Sequence, residues 1–582
     1  MANIMSLKSI RNKPSRNGFD LSFKKNFTAK AGELLPVMVK EVLPGDTFKI
    51  NLKAFTRTQP VNTAAFARIR EYYDFFFVPY DLLWNKSNTV LTQMYDNPQH
   101  AVSLDPSKNF VLSGEMPYTT SEDIATYIYD MTQNAVMSEY NWNYLNYERS
   151  SGTLKLLEYL GYGNFEPFYE KAWSEAPLMA NVNQNLFGLL AYQKIYSDFY
   201  RDSQWERINP SNFNVDYLDG SNMYVSAFKE SDASFWQNYN FFDLRYCNWQ
   251  KDLFHGVLPH QQYGETAVAS ITPNLSGKLT LTNFSTVGTS PVTASGTIPT
   301  SSAFKQLDTV GDLSVLVLRQ AEFLQKWKEI TQSGNKDYKD QLEKHWGVSV
   351  GDGFSELCTY LGGVSSSIDI NEVVNTNITG SAAADIAGKG VGISNGEINF
   401  SSNGRYGLIM CIYHCLPLLD YTTDMLDPAF LKVNSTDYAI PEFDRVGMQS
   451  MPLVQLMNPL RSFADASGVI LGYAPRYIDY KTSVDQSVGG FKRSLNSWVI
   501  SYNNTSVKNQ FGSNDPLPPL EPSEPVPSVA PMNYTFFKVN PNCLDPIFAV
   551  KANSEISTDQ FLCSSFFDVK VVRNLDTDGL PY

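Results

Sequence analysis

Residues 45–84 constrain the fold more than any other stretch of the chain. The first part, Gly45-Asp46-Thr47-Phe48-Lys49-Ile50-Asn51-Leu52-Lys53-Ala54-Phe55-Thr56-Arg57-Thr58, alternates strictly. Phe48, Ile50, Leu52 and Ala54 share one side, and Lys49, Asn51 and Lys53 share the other, which is the period of a strand with one wet face. The second part, Tyr72 to Phe77, packs five aromatics into six residues around Asp74. Little alternation survives there, so this strand is expected to be apolar on both faces, packed against a second sheet or another subunit. The break between them, Gln59-Pro60-Val61-Asn62-Thr63-Ala64-Ala65, is too long for a tight hairpin and lacks an Asn-Gly or Asp-Gly turn. Two such strands joined by a wider crossing loop point to a sandwich or jelly roll rather than a meander.

Elsewhere the patterning is mixed. Residues 110–170 form an irregular, partly helical stretch, and Ala172–Asp202 has helical spacing, with Leu189, Tyr192, Tyr196 and Phe199 on one face as core contacts. Asp312 can cap a helix that runs to about Ser333 and stops at Gly334-Asn335. Its stripe of Leu316, Phe323, Trp327 and Ile330 implies that it lies on something apolar. Residues 266–305, dominated by Thr, Ser and Gly, are expected to be a surface excursion. Residues 350–404 carry Gly- and Ser-rich loops, Arg405–Leu419 a buried strand, and Phe566–Val572 a final strand. Seven prolines between Asp515 and Pro531 predict an extended arm.

Composition bounds the class of protein. Charged residues are 18% and aromatics 13%. Both a large core and extensive subunit contact account for that balance, since interface cores are rich in aromatics and poor in charge. Six scattered cysteines make no disulfide scaffold and fit a reducing cytoplasm. No secretory signal or membrane span is expected. Residues 1–30 hold seven Lys and Arg against one acid, Asp20, a net of +6 that leaves −20 on the remainder of a chain of net −14. Such an arm either meets a polyanion or is a solvated tail. On the first reading Lys8, Arg11, Lys13, Arg16, Lys24 and Lys25 are the nucleic-acid-facing residues.

Catalytic and metal chemistry find little support. In a strand, Cys411 and Cys415 point the same way about 13 Å apart and His414 points oppositely, so the three do not share a zinc. His255 and His260 lack a partner motif. Gly388-Lys389-Gly390-Val391-Gly392 lacks phosphate-loop spacing, and Glu166, Glu170 and Glu175 show no paired signature. No catalytic, metal or cofactor residue is assigned, and an enzyme is not expected.

An ordered series of short motifs supplies a family. Gly32-Glu33-Leu34-Leu35-Pro36-Val37, Val42-Leu43-Pro44-Gly45-Asp46, Phe55-Thr56-Arg57, Pro60-Val61-Asn62-Thr63 and Tyr72 to Pro79 resemble the major capsid proteins of the Microviridae, nearest to the gokushovirus-like lineages and their relatives in gut bacteria. Ala191-Tyr192-Gln193-Lys194-Ile195-Tyr196, Leu318-Arg319-Gln320-Ala321, His345-Trp346-Gly347-Val348, Tyr360-Leu361-Gly362-Gly363 and Gly472-Tyr473-Ala474-Pro475-Arg476-Tyr477 continue it. The resemblance is collinear over most of residues 19–495 and weak outside them. It implies a mainly β protein: an eight-stranded viral jelly roll with long, partly helical insertions. It implies self-assembly into a T = 1 shell around circular single-stranded DNA, with residues 266–305 outermost and a host receptor, minor virion proteins and a small basic DNA-binding protein as partners. The corresponding organisation is a basic arm, 1–30, and one jelly-roll domain, 31–582, with insertions at about 110–240, 266–305, 350–404 and 515–531. Assembly is expected in the host bacterial cytoplasm. The rivals are a glycan-binding outer-membrane lipoprotein and a polysaccharide-degrading enzyme; the first needs a signal peptide with a lipidated cysteine, the second a carboxylate cluster.

Overall fold

The computed structural model describes residues 14–61, 65–92, 116–133, 149–175, 180–206, 209–217, 241–259, 315–332, 334, 337–374, 386–422, 425–444, 447–456, 470–502, 534–548 and 559–577. Nine strands carry the main sheet: β1 (Asn17–Asp20), β2 (Phe23–Ala29), β3 (Leu35–Val42), β4 (Thr47–Thr58), β5 (Ile69–Pro79), β6 (Thr359–Val374), β7 (Ile386–Ser401), β8 (Gly407–Pro417) and β9 (Phe561–Arg573). Their order is β1-β9-β4-β7-β6-β5-β8-β3, with β2 beside β1 along the same edge of β9. All the pairings are antiparallel. Strands that follow one another in sequence mostly fall in opposite halves of this order, as in a jelly roll. The halves join along β6, whose residues 359–368 pair with β5 and whose residues 369–374 pair with β7.

Alternation explains the core. Phe48, Ile50, Leu52 and Ala54 of β4 are buried, as are Phe561, Phe567, Val569 and Val571 of β9. They face Tyr73 and Phe75 of β5, where Phe75 meets Phe567 edge-on at 6.4 Å and the Tyr73 hydroxyl lies 2.9 Å from Ser565 Oγ. One carboxylate sits in this interior. Glu71 is fully buried and accepts hydrogen bonds from Thr56 (2.6 Å), Ser366 (2.8 Å) and Ser394 (2.8 Å), which belong to β4, β6 and β7.

The other face of β5 is also covered, as its aromatic run requires. Helices α1 (Ser121–Gln133), α2 (Arg149–Leu160) and α3 (Phe187–Ile195) come from the long insertion between β5 and β6. Beyond α3, Phe199 lies 4.9 Å from Phe76, and Tyr200 donates to Asp74 at 2.9 Å. Buried ion pairs hold the layer: Arg149 grips Asp243 at 2.6 and 2.7 Å, and Lys155 meets Glu33 at 2.6 Å and Asp559 at 2.9 Å.

The chain divides into two compact units, one of residues 1–261 with 356–582 and one of residues 262–355. The second holds α4 (Val315–Gln332) and α5 (Tyr338–Trp346), where Thr331 Oγ1 lies 3.0 Å from His345 Nε2.

Three expectations need correction. Residues 17–29 are not a free arm: they are β1 and β2, held because Phe23 stacks on Phe567 at 5.2 Å and Phe27 meets Tyr413 edge-on at 5.0 Å. Much of 350–404 is strand rather than loop. Its glycines mark close approach: a Cβ on Gly363 would stand 2.3 Å from Asp74 Oδ1, and one on Gly396 2.2 Å from Val364 Cγ2. The helix expected over Ala172–Asp202 is confined to α3 and followed by a π turn, Tyr196–Tyr200. The wider turn rotates Phe199 off the buried face of Leu189, Tyr192 and Tyr196, leaving it 42% exposed. The segments 266–305 and 515–531 lie outside the described residues, as does Asp312.

Replacing Glu71 tests the inter-sheet hub. Glu71→Leu orphans buried hydroxyls and is expected to cost about 1–3 kcal/mol for each one left without an acceptor. Glu71→Gln, which keeps an acceptor, will cost less; urea unfolding of the unassembled chain measures both.

Candidate nucleic-acid interface

The β2-β9-β4-β7 sheet keeps its outer face open, and its register makes that face a grid. One row runs Lys24, Phe566, Lys53, Asn395 across the four strands. The next runs Asn26, Ser564, Phe55, Ile393, and the third Thr28, Leu562, Arg57, Val391. Lys24, Lys53 and Arg57 are exposed, and with them Phe566 (42%), Leu562 (41%) and Ile393 (61%). The Arg57 guanidinium lies 5.0 Å from the centre of the Phe55 ring.

Charge is unevenly spread over this grid. Towards the other end Lys49 pairs with Glu397 at 2.9 Å, and Lys570 pairs with both Asp20 and Asp568. Lys570 holds the Asp20 and Asp568 carboxyls below the ordinary aspartate range together with Ser22, whose hydrogen bond is the larger influence on Asp568. No carboxylate pairs with Lys24, Lys53 or Arg57 among the described residues. The first three rows thus combine three uncommitted cations with apolar and aromatic side chains, which suits a chain of phosphates carrying unpaired bases.

The six residues expected to face nucleic acid are not grouped together. Lys8, Arg11 and Lys13 lie outside the described residues. Arg16 is exposed beside the grid and donates to Thr47 Oγ1 at 3.0 Å. Lys24 stands in the first row. Lys25, one residue on, points to the opposite side of β2, donates to the Tyr159 carbonyl at 2.7 Å and lies 5.2 Å from the Tyr159 ring centre. Burial pulls its ammonium down from 10.5 to about 8. Sequence reasoning missed Lys53, Arg57 and Phe566. The signal lies in the polar phase of β4, which reads as a wet face, and in a phenylalanine on the outward phase of β9.

The other motifs are structural. Cys411, His414 and Cys415 are buried in β8, where His414 stacks on Tyr72 at 4.8 Å; burial lowers its basicity to about 3 and raises the thiols. His255 Nδ1 contacts Tyr421 Oη at 2.7 Å and its ring stacks on Phe536 at 4.6 Å. His260 lies outside the described residues. Gly388–Gly392 lies within β7, and Glu166, Glu170 and Glu175 are exposed. No group of three or more metal-type ligands occurs among the described residues, and no helix among them is long and apolar enough to cross a membrane.

A two-sheet jelly roll with one open sheet, and the other buried under long insertions, has the build of a viral shell protein. The comparisons agree. The model of the capsid protein (F protein) family matches residues 8–144 and 171–582. Capsid protein VP1 of Chlamydia phage 1 is 22% identical over 97% of this chain and 95% of its own length. Capsid protein VP1 of Bdellovibrio phage phiMH2K is 22% identical over 84% and 85%. The chain belongs to the phage F-protein capsid family and is a major capsid protein, a virion component that assembles with itself into a shell.

Lys25 gives a pH test of this edge. Its folded value lies below the unfolded 10.5, so the unfolded chain binds more protons between about pH 8 and 10.5 and stability rises across that window. Lys25→Met is therefore expected to stabilise the unassembled chain at pH 7, with the gain shrinking to nothing above pH 10.5. Urea midpoints across that range check it.

Proposed function

We propose that this capsid protein builds a T = 1 shell around circular single-stranded DNA, with the open face of β2-β9-β4-β7 and the basic N-terminal arm turned to the genome. The carrying observation is the grid of Lys24, Phe566, Lys53, Phe55 and Arg57, cationic and aromatic, with the acids of the next row, Asp568 and Glu397, already paired with Lys570 and Lys49. A body of net −20 beyond residue 30 repels phosphate over most of its surface, so a localised cationic face supplies the attraction. Contact with phosphates carries no sequence information, as packaging a whole genome requires. Function is then association rather than catalysis, with assembly in the host cytoplasm. A small basic virion protein shares the DNA-facing side, and other minor proteins complete the particle.

We assign host-receptor contact to residues 266–305. Their small polar composition offers little area with which to anchor a core.

Salt dependence tests the DNA face. For single strands each neutralised phosphate contributes about 0.7 to the slope of log affinity against log salt. Changing Lys24, Lys53 and Arg57 together to Gln is expected to lower the slope for an oligothymidylate by about 2. Phe566→Ala is expected to weaken binding by about 1–3 kcal/mol at unchanged slope. An unchanged slope in the triple variant rejects the assignment. In particles, changing Lys8, Arg11, Lys13 and Arg16 to Gln will reduce DNA content more than shell yield. Deleting Thr266–Phe304 is expected to leave particles intact and reduce adsorption to host cells; loss of particles would contradict that placement.

A further inference from the structure

The loop spanning residues 427–444 inverts the usual arrangement of a surface loop. Lys432, Asp437 and Asp444 serve as ties, and its large apolar groups are turned out. Three single-turn helices, Pro428–Leu431, Ser435–Asp437 and Pro441–Phe443, follow one another along it. Asp427 accepts from the Ala429 amide at 2.8 Å, and Asp437 accepts from the Val433 and Asn434 amides at 3.0 and 2.8 Å. Residues 476–481 hold it from the side: Lys432 meets Asp479 at 2.5 Å and lies 3.8 Å from the Tyr480 ring centre, and Lys481 meets Asp444 at 2.6 Å. Yet Phe430 is 78% exposed and Val433 82%. A loop fixed in this way loses little entropy when its tip is buried, so it is prepared for a partner.

The same chain carries a matching receptor. A groove of about 760 Å³ opens where β5 begins, lined by Phe66, Ile69, Ile368, Ile370, Phe491 and Val499. Phe66 is 65% exposed and leans edge-on against Phe491 at 6.3 Å. Of the acids at the groove, Asp485 and Asp420 are engaged by Arg68 at 2.5 and 3.6 Å, and Asp369 is exposed. Arg70 lines the groove, and Lys492 and Arg493 follow Phe491; all three are exposed. Asp427 and Glu442 of the loop are exposed and pair with no cation among the described residues, and Arg70 and Arg493 at the groove pair with no acid among them.

We propose that Phe430 and Val433 of one copy plug the Phe66 groove of a second copy, with Asp427 and Glu442 facing its Arg70 and Arg493. Plug and groove share no residue, so the contact is head-to-tail and repeats from copy to copy. Closed rings in a shell need that type of contact, whereas a two-fold contact pairs one patch with itself. The inference rests on the capsid reading and adds to it which surfaces meet.

The test uses two surface variants of the full chain and sedimentation velocity. The plug variant carries Phe430→Asp and Val433→Asp; the groove variant carries Phe66→Asp and Arg70→Glu. Circular dichroism and urea midpoints report whether each is folded. Self-association of each alone is expected to weaken at least about 100-fold, the scale of buried interface anchors. Mixed in equal amounts, the two retain one intact contact and are expected to form a heterodimer that grows no further. Glu442→Arg, milder and remote from any packing, is expected to weaken association and to be rescued by a partner bearing Arg70→Glu and Arg493→Glu. Either variant assembling like the wild type, or a mixture with no heterodimer, overturns the proposed contact while wild-type assembly leaves the capsid reading standing. A wild-type chain that forms no oligomer under any condition overturns that reading as well.

Discussion

Strand β5 sets the terms for the rest of the molecule. Tyr73, Phe75 and Phe77 point to the interior and Tyr72, Phe76 and Val78 to the other side, so neither face tolerates water. A strand of this kind needs two apolar partners. The facing sheet supplies one, with Phe567 edge-on to Phe75 and Phe400 at 4.7 Å from Phe77. The insertion between β5 and β6 supplies the other, returning to lay Phe199 and Tyr200 over Phe76 and Asp74. At roughly 1.5–3 kcal/mol for each fully buried aromatic or aliphatic side chain, this one strand justifies a long excursion of chain.

The asymmetry of the two sheets follows from that demand. One sheet is dry on both sides at β5 and β8, and the acids of β5 are tied, Glu71 by three hydroxyls and Asp74 by Tyr200 and Tyr360. The other is dry on one side only. Its outer face is free of packing duty, and there the chain places Lys24, Lys53 and Arg57 among Phe55, Phe566 and Leu562. Under the proposed function this open face meets the genome and other surfaces meet copies of the chain.

Legibility varied with the range of the interactions involved. Strand β4 was readable because Phe48, Ile50, Leu52 and Ala54 carry their own period; β5 was readable because its aromatics overflow any single face. Strands β6 and β7 were not, since Gly363 and Gly396 are there for the atoms of Asp74 and Val364 that crowd them, neighbours far away in sequence. Phe199 was misplaced by one π turn, which no residue type announces. In the candidate interface, Lys24 and Lys25 are indistinguishable by composition, yet the pleat sends one outward and the other under Tyr159.

The chain by itself determined that this is a β sandwich with one wet and one doubly buried strand, that its N-terminus is basic and its body acidic, and, through an ordered set of motifs, that it resembles a phage capsid protein. Those are properties of local period, composition and collinearity, and they need no knowledge of what lies opposite. Only the tertiary structure decided that residues 17–29 join the sheet, that Lys53, Arg57 and Phe566 fall beside Lys24, and that Phe430 and Val433 stand out on a braced loop. Each depends on cross-strand register or on contacts between segments distant in sequence. Register is a collective outcome of packing an entire sheet, and no single segment encodes it.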